Sequence, residues 1–275
     1  FSSLSNSIIN ETDLIISTTF KLATSNLHPA PTPTEAERLS IIAVGGYGRG
    51  EMAPFSDVDI LFLTPYKTTP WTENVIESML YILWDLKLQI GHATRSIDEC
   101  ILLGGKDFTI RTSLLETRPI CGDKNLGNEL TTRLWNELFQ SSTTEFITAK
   151  LKERATRHKK HGENRYLLEP NIKEGKGGLR DLQSLFWIAK YIHHVEKPLE
   201  LIQKGVFNDQ EYTKFVNASN FLWQVRCHLH FINNKASEQL NFDSQFEIAK
   251  RLSYQDLDGR LAVEHFMQEF GRRMR

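Results

Sequence analysis

Ile41-Ile-Ala-Val-Gly-Gly-Tyr-Gly-Arg-Gly-Glu-Met-Ala-Pro-Phe-Ser-Asp-Val-Asp-Ile-Leu-Phe-Leu63 is the stretch whose reading decides the fold. Its first apolar run, Ile41 to Val44, predicts a buried strand that breaks at Gly45–Gly46. A short glycine-studded segment follows, and Ser56-Asp57-Val58-Asp59 then feeds a second apolar strand, Ile60 to Leu63. Strand side chains alternate in direction, so Asp57 and Asp59 project from one face while Val58 and Ile60 point the other way. Two carboxylates at that spacing, opposite a glycine turn where backbone can approach a phosphate, suit magnesium and a nucleoside triphosphate.

The chemistry of such a site is mainly positioning and charge neutralisation. Two carboxylates can hold two magnesium ions, one acidifying the attacking hydroxyl and one stabilising the leaving pyrophosphate. The Gly45–Gly46 turn lets a triphosphate lie against main-chain N–H groups, with Arg49 and Ser56 as side-chain donors to its oxygens. The bland alternative is a sharp turn with two solvated aspartates at a strand edge. Asp-x-Asp alone carries little information. The pair about a dozen residues after Gly-Gly, with both bracketed by apolar strands, is far more specific. A dinucleotide fingerprint fails because the Gly46, Gly48, Gly50 series breaks at Glu51, and an EF-hand fails because an apolar strand follows Asp59.

Around this stretch the chain reads as a small α+β unit followed by a helical one. Residues 4–27 have a fair helical period, and 28–33 is proline-rich, so residues 1–34 are expected to form an N-terminal helix and linker. Thr72 to Leu88 predicts an amphipathic helix, Leu88 to Ile97 a strand with Gly91 near its middle, and Asp107 to Arg118 another helix. Pro119 and Gly122 close that unit near residue 125, giving a domain at 35–125 with a small sheet whose helices cover one face. Residues 126–275 carry mostly helical periodicity.

One segment interrupts the helical half: Leu168-Glu-Pro-Asn-Ile-Lys-Glu-Gly-Lys-Gly-Gly-Leu-Arg-Asp-Leu-Gln183. Gly175, Gly177 and Gly178 promise flexible backbone with exposed N–H groups, and Lys173, Lys176 and Arg180 supply positive charge. A helix begins at about Leu179 or Arg180, an arrangement that can bind anions. The alternative is a tight loop crossing between domains with surface lysines. A P-loop is not matched.

Bulk composition narrows the class. The chain has 275 residues, 40% apolar and 24% charged, which is globular, and its net charge of −1 argues against a general nucleic-acid or membrane-surface binder. No apolar run approaches the roughly 20 residues that span a bilayer, and the N-terminus lacks a secretory layout. Cys100, Cys121 and Cys227 have no metal-ligand spacing and read as reduced thiols of a cytoplasmic protein. Beginning at Phe1 and ending at Arg275 within a helical pattern, the chain is expected to be part of something longer.

The central stretch resembles the nucleotidyltransferase superfamily that includes DNA polymerase β. The fuller string Gly-Gly-Tyr-Gly-Arg-Gly-Glu with Ser-Asp-Val-Asp is similar to one family within it, the bifunctional uridylyltransferase/uridylyl-removing enzymes that act on the nitrogen-regulatory protein PII. The segment Glu169 to Gln183, the run Leu222-Trp-Gln-Val-Arg-Cys-His-Leu-His230, and Leu240-Asn-Phe-Asp-Ser-Gln245 share that likeness, which covers roughly residues 35 to 275. The resemblance implies a polymerase β-like fold followed by a helical domain, with Mg2+ on Asp57 and Asp59 and UTP along Gly45 and Gly46. It also implies that Lys173, Gly177, Gly178, Arg180 and Asp181 face that nucleotide, in a cleft between the two units. The acceptor implied is a tyrosine hydroxyl of PII, which receives UMP as pyrophosphate leaves. The family's HD hydrolase and glutamine-sensing domains are expected to be absent, since no His-Asp dipeptide occurs. One departure concerns a third carboxylate on a later strand: the matching strand offers His92 and Arg95 but no acid before Asp98, and Asp107 lies beyond it. Two other readings stay open, the related adenylyltransferase of glutamine synthetase and a catalytically weak nucleotide-sensing or docking module.

Overall fold

Strand β1 (Ser40–Ala43) has every side chain buried, and it sits inside a four-stranded sheet. A computed structural model of the chain describes residues 2–30, 34–161 and 168–274; Pro31 to Pro33 of the expected linker lie outside the described residues. The other strands are β2 (Val58–Thr64), β3 (Ile90–Ser96) and β4 (Arg118–Gly122), in the spatial order β3-β2-β1-β4. β1 runs antiparallel to β2 and β4, whereas β2 and β3 are parallel, with Asp59 opposite Gly91.

Helices α1 (Ser2–Leu22), α2 (Gly45–Gly48), α3 (Pro70–Asp85), α4 (Ile97–Lys106), α5 (Phe108–Leu115) and α6 (Lys124–Arg133) surround the sheet. They cover both of its faces, a correction to the one-faced arrangement expected. Ile41, Val58, Ile60 and Phe62 share a core with Ile9 and Ile16 of α1 and with Val75, Met79 and Leu83 of α3. On the opposite face Gly127 of α6 lies so close to Ile42 that a Cβ there would stand 3.4 Å from its Cδ1. The physical reason is the continuous apolar run of β2, since a strand without polar alternation must be buried on both sides.

The chain divides into two compact units. One comprises Ser3–Met52 and Ser56–Thr143, and the other takes Ala53–Phe55 with the chain from Thr144 onward. The first therefore runs past the expected boundary at 125. Leu126 and Leu130 of α6, then Leu134 and Leu138 of the following π-helical turn (Leu134–Phe139), are buried, and Gly104 of α4 leaves room for Leu138. The second unit contains α7 (Thr143–Lys160), α8 (Leu179–His193), α9 (Glu200–Gln203), α10 (Asp209–Asn233), α11 (Phe242–Arg251) and α12 (Ala262–Arg273). Ile172, Leu179, Leu222, Leu229, Ile248, Phe266 and Phe270 share its core. Cys100 and Cys227 are buried, Cys121 is half-buried, and all three thiols are free. Among the described residues no helix is long and apolar enough to cross a membrane.

Close packing at α2 yields a direct test. A Cβ at Gly48 would stand 2.8 Å from the carbonyl oxygen of Ala43 and overlap that of Glu116, both immobile backbone atoms. Gly48→Ala is expected to cost about 1–3 kcal/mol or more through overpacking. Denaturant unfolding measures this, and an unchanged midpoint would contradict the packing described.

Candidate active site

Asp59 is tied into the fold through its backbone. Its carbonyl oxygen accepts the N–H of Val44 at 3.1 Å, which ties the end of β1 to β2. The next residue, Gly45, has φ +59°, a left-handed conformation that side chains oppose, and this turns the chain into α2. A Cβ on Gly45 would stand 3.2 Å from Asp59 Oδ2. On the other side, a Cβ on Gly91 would overlap Asp59 Oδ1. The carboxylate thus occupies a slot walled by two residues that carry no side chain. Asp57 lies exposed two residues earlier, just before β2 begins, and Ser56 is partly buried beside it.

The Gly45–Gly46 pair forms the first turn of a short helix rather than a simple bend. Gly48 and Arg49 donate their N–H groups to Val44 and Gly45 at 3.0 Å each, closing that turn. The amides of Gly45 and Gly46 come before this ladder and have no partner within it by helix geometry. Arg49, expected as a phosphate donor, has two carboxylate partners instead: its Nε meets Glu51 at 2.6 Å and its Nη1 meets Glu116 at 3.4 Å. Burial disfavours the guanidinium charge, but Glu51 and Glu116 more than offset it and hold its pKa above the ordinary arginine value. Arg49 therefore braces the turn from below Gly46, whose own Cβ would be 4.0 Å from Arg49 Nη2.

Two carboxylates of hard oxygen fit Mg2+, which binds through one or two acids and takes its other positions from phosphate oxygens and water. The glycine-walled slot is the local observation behind that fit, because it leaves room around Asp59 that a side chain would fill. Among the described residues no three His, Cys, Asp or Glu side chains form a metal-holding group. Asp107, the candidate third acid, is the N-cap of α5: its Oδ1 accepts the N–H groups of Thr109 at 2.6 Å and Ile110 at 3.2 Å. Those backbone bonds, Ile110 first and then Thr109, hold its carboxyl below the usual range. Asp98 pairs with Arg133 at 2.8 Å. His92 packs against the aromatic rings of Phe62 and Trp84, with centroids 6.4 and 6.2 Å away.

In the helical unit, the second glycine loop departs from its expected form. Its amides are consumed internally. Lys173 and Glu174 donate to Asn171 Oδ1, Gly175 to Asn171 O, Gly178 to Gly175 O, Leu179 to Ile172 O and Arg180 to Lys173 O. Gly177 donates to Asp181 Oδ2 at 2.8 Å. Asp181 organises the loop, since its carboxylate also receives Arg157 and His158 Nε2, the latter at 2.8 Å. Gly177, at φ +80°, and Gly178 are glycines because backbone crowds them: a Cβ would stand 2.8 Å from Met274 C in the first case and 2.7 Å from Ile172 O in the second. The cations of the loop have partners of their own: Arg180 Nη2 lies 3.6 Å from Glu174 and its Nη1 donates to Gln183 Oε1 at 3.1 Å. Arg180 lies 5.4 Å from the Trp187 ring, and burial, followed by the charge of Arg226, holds the Lys173 ammonium below the ordinary lysine value.

Three features escaped the sequence reading. Gly91 as a wall of the Asp59 slot had a usable signal, since an isolated glycine inside a strand marks a close approach. Glu116 as the partner of Arg49 had none. His230, fully buried, accepts the N–H of Phe55 at its Nδ1, 3.3 Å away, within the helical unit. Its place in a run of histidines does not by itself indicate a partner.

Comparison with known proteins bears on these motifs as a set. Residues 33–121 match the family described as Nucleotidyltransferase domain, and residues 145–275 match the GlnD PII-uridylyltransferase family. The chain is 58% identical over 261 residues to the bifunctional uridylyltransferase/uridylyl-removing enzyme of Ruegeria pomeroyi, covering 95% of this chain and 29% of that protein. The enzymes of the same name from Cereibacter sphaeroides and Nitrobacter hamburgensis are 54% and 52% identical, over 95% and 94% of this chain and 28% of each of theirs. The chain therefore spans less than a third of the length of the curated relatives it matches. With both glycine motifs and the Asp-x-Asp pair inside the matched regions, the chain is a nucleotidyltransferase similar to one part of the bifunctional uridylyltransferase/uridylyl-removing enzymes.

Proposed function

We propose that this chain carries the nucleotidyl-transfer step: UMP passes from UTP to a tyrosine hydroxyl of PII, dependent on Mg2+. The tyrosine oxygen bonds to the α-phosphorus, the bond from that phosphorus to the bridging oxygen breaks, and pyrophosphate leaves. The observation that carries this reading is the Asp59 carboxylate in its glycine-walled slot, two residues after Asp57. That the similar proteins are named uridylyltransferases supports the choice of UTP over other nucleotides.

In this reading Asp57 and Asp59 hold the metal, which when bound neutralises phosphate charge and acidifies the attacking hydroxyl. Gly45 and Gly46 line the triphosphate with backbone, and Ser56 donates to a phosphate oxygen. Arg49 orients the turn through Glu51 and Glu116. Within the helical unit, Asp181, Gly177 and Gly178 hold in shape the loop that carries Lys173 and Arg180.

Purified chain incubated with Mg2+, labelled UTP and PII is expected to label a PII tyrosine. Labelling from ATP in place of UTP would move the assignment to an adenylyltransferase, and UTP binding without transfer to any acceptor would favour a docking module. Asp57→Asn should lower transfer by more than about 100-fold, beyond the 10–100-fold typical of residues that only support a metal ligand. The fold should survive, because an exposed side chain leaves no cavity. Retained activity in that variant would rule out the metal role.

Gly91→Ala makes a sharper demand. The new methyl meets only the end of a flexible side chain, Asp59 Oδ1, so the protein should fold at near wild-type stability. The carboxylate, however, must rotate out of its slot, and transfer should fall about 100-fold, as misplacement of about 1 Å can cause. A thermal melt and an initial-rate assay separate the two effects, and full activity would show that the slot does not matter.

A further inference from the structure

Two polar side chains distant in sequence meet at one carboxylate on the N-terminal helix. Asp13 of α1 accepts the hydroxyl of Tyr47, whose side chain is 1% exposed. The same carboxylate takes a two-pronged contact from Arg118 of β4, Nη1 to Oδ2 at 2.7 Å and Nη2 to Oδ1 at 3.0 Å. Arg118 also reaches Tyr47 from the other end: Nη2 lies 3.5 Å from its carbonyl oxygen, and the guanidinium stands 5.2 Å from the ring centroid. Tyr47 is thereby held at its hydroxyl, its ring and its carbonyl. A second tie from α1 lies at the far end of the glycine segment, where Ser5 Oγ accepts the N–H of Met52 at 3.1 Å.

Anchoring α1 does not require this hub, because Ile9 and Ile16 already bury the helix in the core. What the hub fixes is α2, and α2 begins with Gly45, one wall of the Asp59 slot. We infer that Asp13 is a positioning residue of the nucleotidyl-transfer site, acting through Tyr47 and Arg118 to set the glycine turn against Asp59. Helix α1, which precedes the residues matched as a nucleotidyltransferase domain, is then a working part of that site. The charge of Asp13 matters because one carboxylate serves three donors at once, and a charge-assisted, two-pronged arginine contact is the strong form of such a bond. The inference rests on the reading that the slot receives a metal-bound nucleotide.

Asp13→Asn tests it, since the amide matches the carboxylate in size and removes its charge. Amide exchange at Gly48 and Arg49, whose N–H groups close the α2 turn, should quicken about tenfold at an otherwise unchanged exchange pattern. In the transfer assay KM for UTP should rise about tenfold while KM for PII stays the same, a split that a loss of folded protein would not produce. Tyr47→Phe, which keeps the ring and removes the hydroxyl, should act in the same direction. The double variant should lose no more than the worse single one, because both remove one interaction. Unchanged exchange and unchanged KM for UTP in Asp13→Asn, beside an active wild type, would overturn the inference alone. A wild type that labels nothing from UTP would overturn the reading beneath it, while the exchange measurement still reports whether Asp13 holds the turn.

Discussion

A carboxylate between two residues that have no side chains is the constraint on which the first unit depends. Asp59 needs space on both sides, and that space exists only because Gly45 and Gly91 carry hydrogen where other residues carry a methyl or more. Each wall is set by a different part of the fold. The parallel pairing of β2 and β3 puts Gly91 directly opposite Asp59, while the left-handed φ of Gly45 starts the turn that brings its backbone alongside. Burial on both faces of β1 and β2 then packs these strands between helical layers, where side chains fill the space on either side.

The glycines of the two motifs divide by what crowds them. Gly45 and Gly91 face a carboxylate, whereas Gly48, Gly177 and Gly178 face backbone of their own unit. The first pair makes room for chemistry and the second group for close packing, although both look alike as letters in a glycine-rich string. The second loop illustrates the cost of reading them as one kind. Its amides are spent on Asn171, Ile172, Lys173, Gly175 and Asp181, leaving a stiff scaffold.

Much of the fold was legible because periodicity reports burial. Continuous apolar runs at Ile41–Val44 and Ile60–Leu63 marked two strands, and the helical half announced itself by its spacing. The Asp-x-Asp pair after Gly-Gly pointed to the candidate site. Beyond that point the physics became long-range and left no local trace. Asp13, Tyr47 and Arg118 meet across more than one hundred positions of sequence, and no periodicity predicts which acid a buried tyrosine will find. Arg49 read as a phosphate donor because its partner Glu116 lies 67 residues away. Asp107 read as a possible metal ligand, yet it stands one residue before a helix, where its carboxylate serves the first amides of α5. The boundary near 125 misplaced α6 because Pro119 and Gly122 mark the end of a strand, not of the unit, and Leu126 and Leu130 are buried.

The central claim is that the slot around Asp59 holds a divalent ion together with a uridine nucleotide. Electron paramagnetic resonance of Mn2+, used in place of Mg2+, counts free and bound ion directly and needs no turnover. With a non-hydrolysable UTP analogue present, the wild-type chain is predicted to take up Mn2+ and Asp59→Asn to take up none above the nucleotide-only background. Equal uptake by the two proteins would contradict the account.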